Sequence, residues 1–251
     1  MKRILLALCF LLASPAAADD LVSGLSQDQI QITSNYSGTD IVVFGAIENI
    51  DPTESFGGRD IVVVVRGPDV DMTVRKKARV AGIWVNSNRI VLRGMPSYYY
   101  IASTRPLDQI ASATSLRGYR LGLANLQPDT ESTLVPGKGE PYREAVIQAK
   151  MRQGVYGAET NGVEFLSPTL FRVRIPVSAL VPPGEYKVEV SLFRNSTMIG
   201  AQSTPFFVDQ VGVERRLFEM AHLSPLIYGF SVVLFAALLG WLSSLVFRQE
   251  Q

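Results

Sequence analysis

The run from Ser224 through Phe247 contains no charged residue and is followed by Arg248-Gln249-Glu250-Gln251. Its part from Leu226 to Phe247, about 22 residues at 1.5 Å each, gives a helix of roughly 33 Å, enough to cross a hydrocarbon core with slight tilt. The sequence therefore predicts a transmembrane helix over 224–247, preceded by a juxtamembrane segment over 211–223 and followed by a short tail over 248–251. Whatever else the chain does is assigned to the residues before this helix or to the helix itself.

The other end has the layout of a secretory signal peptide. Met1-Lys2-Arg3 is a short basic region, Ile4 to Leu12 is apolar, and Ser14-Pro15-Ala16-Ala17-Ala18 supplies small residues for cleavage after Ala18. The apolar stretch is too short to span a bilayer. The one cysteine, Cys9, lies inside this leader, and Leu8 before it argues against lipoprotein processing. The mature chain is thus expected to hold together without disulfides, which suits a bacterial envelope protein. Together the two apolar segments predict a single-pass protein of the bacterial inner membrane, with a periplasmic N-terminus and a cytoplasmic C-terminus. Arg215 and Arg216 lie before the span and Arg248 after it, opposite to the positive-inside bias. The signal peptide outweighs that bias because translocation is committed before the second segment emerges.

Residues 19–210 form the expected ectodomain, long enough for one substantial core or two small ones. The chain has 24 basic and 23 acidic residues, and loss of Lys2 and Arg3 leaves 22 against 23. That balance argues against a nucleic-acid partner on charge grounds. Strand patterns dominate. Ile41–Ile47 and Ile61–Val65 are β-branched runs bounded by Asp51-Pro52, Gly57-Gly58 and Gly67-Pro68. Further strands are predicted over 29–33, 71–74, 79–85, 89–92 and 97–103. A second cluster begins at Val163 and includes 170–175. In 185–193, Tyr186, Val188, Val190 and Leu192 share one face opposite Lys187 and Glu189, the alternation of a half-buried antiparallel strand. Arg194–Thr197 reads as its turn and Met198–Val208 as its hairpin partner. The fold class predicted is mainly β: an immunoglobulin-like β-sandwich with a helical insertion at about 107–155, plus the C-terminal helix. Within the insertion, 107–116 reads as one short helix and 127–139 as an exposed loop. Glu140 to about Gln153 reads as a second helix, with Tyr142, Ala145, Val146 and Ala149 as its apolar stripe and Gly154 as its stop.

Catalytic chemistry has few candidates. The single histidine, His222, stands at the membrane boundary, and the mature chain has no cysteine. Cys-His and Ser-His-Asp catalysis are therefore disfavoured, and a histidine-cluster zinc site is not available to one chain. A pair of carboxylates suffices for glycoside hydrolysis, which leaves Asp51, Glu54 and Asp60 around one turn and Glu159 and Glu164 around another. Their spacing does not distinguish them from ordinary loop acids. Calcium binding at Asp51–Asp60 lacks the acidic density of an EF-hand. Arg75-Lys76-Lys77-Arg79 reads as a charged hairpin tip, with an anionic lipid or partner as the alternative. In Tyr98-Tyr99-Tyr100 at least one ring must face inward, which predicts packing divided between core and surface. Asn35-Tyr36-Ser37 and Asn195-Ser196-Thr197 match glycosylation sequons formally. No catalytic residue, cofactor or metal ligand is expected.

The span offers the best interaction signal. Ala236, Gly240 and Ser244 recur every four residues and stack on one helix face. Small-residue faces let helix backbones approach closely in lipid. His222, Tyr228 and Trp241 read as interfacial residues. The expected partners are the bilayer, and a second membrane protein or a second copy of the chain.

Phe165-Leu166-Ser167-Pro168-Thr169-Leu170-Phe171-Arg172, Pro183-Gly184-Glu185-Tyr186-Lys187-Val188 and Ala221-His222-Leu223-Ser224-Pro225-Leu226-Ile227-Tyr228-Gly229 leading to Gly240-Trp241 carry a resemblance over nearly the whole chain. They resemble an alphaproteobacterial family of transmembrane proteins that share a signal peptide, an ectodomain and one C-terminal span. That family has no established activity, so the resemblance transfers no catalytic residue. It implies a sulfite-exporter-type transporter as a neighbour and hence an accessory role. The reading is a non-catalytic accessory subunit of a transport or envelope complex; the alternatives are a carboxylate-dependent envelope hydrolase and a stand-alone anchored binding or adhesion domain.

Overall fold

A computed structural model describes residues 21–33, 36–48, 58–80, 82–128, 139–210 and 220–247. The leader, Asp51, Glu54, Asn35, most of the 127–139 loop, residues 211–219 and the 248–251 tail lie outside the described residues. The fold is mainly β, with one C-terminal apolar helix, and the chain divides into a β-rich unit and a second unit that holds that helix.

Twelve strands build the β unit: β1 Leu21–Leu25, β2 Gln29–Ile32, β3 Thr39–Ile47, β4 Arg59–Arg66, β5 Asp69–Val80, β6 Ile83–Pro96, β7 Tyr99–Ser103, β8 Tyr156–Thr160, β9 Val163–Phe165, β10 Leu170–Val177, β11 Gly184–Arg194 and β12 Thr197–Gln210. One sheet has the order β1-β3-β10-β9, a second β2-β12-β11-β4-β7-β8, and β5-β6 stand as a two-stranded ribbon. Both larger sheets mix strands from the two sequence clusters: β3 pairs with β10, and β4 with β11. The clusters are therefore halves of one unit.

The first sheet buries one face. Ile41, Val43 and Ile47 of β3 alternate with less buried neighbours, as do Phe171, Val173, Ile175 and Val177 of β10. In the second sheet Asp60 through Val65 are buried on both faces. Val63 and Val65 lie opposite Val190 and Val188 and share their face. From this side of the sheet the Tyr98 hydroxyl donates to the Pro176 carbonyl of β10 at 2.6 Å, tying the two sheets together. The opposite face is covered by the connection between β7 and β8, where Tyr119 packs edge-on against Phe193 with ring centroids 6.3 Å apart.

That connection explains the helical segment. β7 and β8 run parallel, and parallel neighbours need a crossover of a dozen or more residues. Residues 104–155 supply it, so the segment is a crossover that adds an edge strand. The expected single helix over 107–116 is two helices, α1 Leu107–Ile110 and α2 Ala113–Gly118. Ala111 and Ser112 are extended between them, and the Ser112 side chain caps α2 by accepting the Ser115 N–H at 3.2 Å; serine competes for the backbone in this way at helix starts. A 3-10 turn follows at Leu123–Asn125, then α3 Glu140–Arg152. Gly154 terminates α3 with φ +69°, as the sequence predicts. The stripe of α3 differs from expectation: Arg143, Val146 and Ile147 are buried, whereas Ala145 is exposed. Arg143 turns inward because Glu140 and two backbone carbonyls receive its guanidinium.

Two other expectations are corrected. Residues 79–85 are not one strand, because the chain reverses at Gly82, with φ +89°. The three tyrosines 98–100 are all buried, rather than divided between core and surface. Tyr98 and Tyr100 face the first sheet and Tyr99 faces the crossover, so both sides of this strand are covered. The turn at Arg194–Thr197 is as predicted, a two-residue loop with positive φ at Asn195 and Ser196, the backbone that a tight hairpin needs.

The second unit contains α4, Pro225–Phe247. Its 20-residue stretch Pro225–Ser244 has a mean hydropathy of 2.0 and no burial.

Candidate functional site

Ala236, Gly240 and Ser244 lie on α4 at a spacing that places them on one side, and all three are exposed. A Cβ added at Gly240 would meet no atom within 4 Å. The small-residue face is thus open along its described length. Tyr228 is half-buried near the start of α4, Trp241 is exposed, and His222 is exposed in the helical turn 220–223 that precedes it. The Ser224 N–H donates to the Met220 carbonyl at 3.1 Å and the Tyr228 N–H to Ser224 at 3.0 Å, so the helical bonding passes through Ser224. Ser231 returns its hydroxyl to the Ile227 carbonyl at 2.7 Å, which satisfies this polar group within the helix.

The candidate acids of the hydrolase reading are engaged elsewhere. Asp60 is buried, accepts from Thr104 Oγ1 at 2.9 Å and Arg105 Nε at 2.7 Å, and is further paired to Arg105 through the other guanidinium nitrogen. Glu159 accepts from the Tyr100 hydroxyl. Glu164 pairs with Arg172 at 2.7 Å, and the guanidinium's hydrogen bond holds its pKa below the usual carboxylate range. Among the described residues, no cluster of three His, Cys, Asp or Glu side chains could hold a metal.

The tyrosines are committed in the same way. Tyr99 accepts the Gly122 N–H at 3.0 Å, Tyr156 donates to the Pro96 carbonyl at 2.5 Å, and Tyr186 donates to the Pro182 carbonyl at 2.6 Å. Burial pushes Tyr99 and Tyr186 up to about 12. Burial and then the Glu159 contact raise Tyr100. None of these phenols is poised to give up its proton near neutrality. A shallow groove of about 380 Å³ between the 3-10 turn and α3 is lined by Leu123, Ala124, Arg143, Glu144, Ile147, Gln148 and Met151. Arg143 is occupied there by Glu140 and by the carbonyls of Ala124 at 2.9 Å and Leu126 at 3.1 Å, so it clamps the 3-10 turn to α3.

Among the described residues, the candidate acids Asp60, Glu159 and Glu164 and the buried tyrosines are thus held by partners within the fold. A family described as "Putative transmembrane protein" (Alph_Pro_TM) matches residues 20–249. The chain belongs to this family. The match runs through the β unit and α4 of this chain. No curated protein matches the chain.

One surface lay hidden in the sequence. Arg75, Lys76, Lys77 and Arg79 are exposed on β5, as a charged hairpin end should be, but the described residues of the end itself are Val80, Gly82, Ile83 and Trp84. Reading 79–85 as one strand concealed it. The signal available was the Ala81-Gly82 pair, a small residue followed by one able to take positive φ.

Proposed function

We propose that the chain is a non-catalytic, single-pass protein of the bacterial inner membrane, an accessory subunit of a transport or envelope complex. In this reading the β unit is an immunoglobulin-like periplasmic binding domain, and α4 anchors it with its C-terminus in the cytoplasm. The observation that carries the reading is the open face of Ala236, Gly240 and Ser244 on a helix long and apolar enough to span a bilayer. In lipid, helices associate by close packing, and small residues permit the closest approach. The engagement of Asp60, Glu159 and Glu164 by neighbouring side chains favours this reading over a carboxylate hydrolase. The paired sheets, tied by Tyr98 to Pro176, support the sandwich description.

The test is affinity purification of the tagged full-length chain in mild detergent, beside the variant Ala236→Leu/Gly240→Leu/Ser244→Leu. Wild type should retain a polytopic membrane protein that the membrane-inserted variant loses. Equal recovery by both, or none by either, would reject the helix as the docking element and leave the stand-alone binding domain as the better reading.

A further inference from the structure

The β5–β6 ribbon leaves the second sheet at Gly67-Pro68, directly after β4, and returns to it at Ser97. Its base is fixed by buried Leu92 and Met95. Twelve residues of β5 at about 3.4 Å each carry the far end roughly 40 Å from there. The last two cross-strand pairs are Arg79 with Trp84 and Val80 with Ile83. Val80 is 55%, Ile83 65% and Trp84 69% exposed. The ribbon thus ends in two aliphatic side chains and an indole, all facing solvent and all more exposed than any other large apolar residue of the strands described.

The charge beside this tip has one sign. From Arg75 to Arg89 the chain contains Arg75, Lys76, Lys77, Arg79 and Arg89 and no acid. All five are exposed. An apolar end ringed by cations asks for a partner that offers negative charge at its surface and an apolar layer a few ångströms below. A bilayer with anionic headgroups has that profile: aliphatic side chains enter the acyl boundary, an indole sits at headgroup level, and lysines and arginines meet the phosphates. A bilayer is also within the chain's own reach. Residues 211–219 lie between the end of β12 and the helical turn at 220–223 that leads into α4, and nine residues can extend to at most about 32 Å.

We infer that the β5–β6 tip is a membrane-docking element, with Val80, Ile83 and Trp84 entering the anionic surface of the bilayer that holds α4, and Arg75, Lys76, Lys77, Arg79 and Arg89 binding its headgroups. This goes beyond the accessory reading and does not depend on it. The chain would then touch the membrane twice, once through α4 and once through the ribbon.

Trp84 reports on this directly, because Trp241 is the other tryptophan of the chain. Full-length protein carrying Trp241→Phe is reconstituted into nanodiscs of phosphatidylcholine alone, or of equal parts phosphatidylcholine and phosphatidylglycerol, each with and without bromine-labelled acyl chains. In the anionic discs Trp84 should emit at shorter wavelength than in detergent and lose most of its intensity to bromine. Lys76→Glu/Lys77→Glu/Arg79→Glu should restore solvent-like, unquenched emission while the far-ultraviolet circular dichroism stays unchanged. If Trp241→Phe fails to insert, the difference between wild type and Trp84→Phe gives the same reading. Solvent-like emission without quenching in both disc types overturns the inference. So does a blue shift without bromine quenching, which would place the indole against protein. Quenching that survives charge reversal removes the cations from the docking element.

Discussion

β4 and β5 are consecutive strands separated by Gly67 and Pro68, yet every residue from Asp60 to Val65 is buried and not one residue of β5 is. β4 is the continuous β-branched run of a strand covered on both faces, and it gains neighbours on both edges, β11 and β7. β5 alternates as a half-buried strand should, but its one hydrogen-bonded neighbour is β6. A two-stranded ribbon has little face to bury and is marginal in water without support. Alternation therefore reports which side chains share a face and says nothing of whether anything covers that face. In one region the apolar side is consumed by the fold; in the other it remains available.

The sharpest way to break this contrast is in the sheets. A Cβ on Gly45 would lie 2.1 Å from Cζ of Phe171, its cross-strand partner and a fully buried ring. Gly45→Ala should cost about 2–4 kcal/mol, since a packed ring must move. Urea unfolding of the full-length chain in detergent, followed by circular dichroism, measures it; a change within error would mean that the sheets are looser than their burial implies. The second effect is intermediate. Tyr99 and Tyr186 are raised to about 12 by burial, against an ordinary value of about 10 in the unfolded chain. A folded-state value above the unfolded one gives stability that is complete below about pH 10 and is lost as pH rises toward 12. The urea midpoint should hold steady up to about pH 10 and then fall, with phenolate absorbance appearing together with unfolding. Titration of all nine tyrosines near their ordinary value, with the fold intact, would contradict the burial of these rings. The smallest effect belongs to the ribbon. Val80→Ser/Ile83→Ser/Trp84→Ser should change stability by no more than about 0.5 kcal/mol, because exposed side chains contribute little to folding. A larger loss in the same urea assay would mean that the tip is packed and the contrast is false.

Much of the fold is legible in the residues themselves. Ile41–Ile47, Ile61–Val65 and the 185–193 and 198–208 pair announce themselves by β-branched runs, alternation and turn residues, and each lies within an observed strand. β8 was not legible. Tyr156-Gly157-Ala158-Glu159-Thr160 is short, weakly apolar and stabilised from a distance: the Tyr100 ring covers Gly157, where a Cβ would come within 2.7 Å of it. A strand whose main support is more than fifty residues away in sequence leaves little local trace. β1 escaped for a related reason, since Leu21–Leu25 is a brief alternation whose pairing partner, β3, defines it. At the ribbon the cations were legible and the apolar tip was not, because Val80, Ile83 and Trp84 are good strand formers and the turn between them has only Ala81-Gly82 to mark it.

The interleaving of the two clusters has a consequence for how the protein is made. β3 emerges with its partner β10 still about 125 residues from synthesis, and β4 waits as long for β11. Until Val177 has been added β3 lacks a neighbour on one side, and β4 lacks one until Arg194 has been, so their open edges and valine-rich faces are available to any chain nearby. Contacts so distant in sequence also close slowly. A nascent chain of this topology therefore spends most of its synthesis unable to bury its own core, and the moment of greatest risk of misassembly ends when the β11–β12 hairpin arrives, shortly before the apolar helix that follows it.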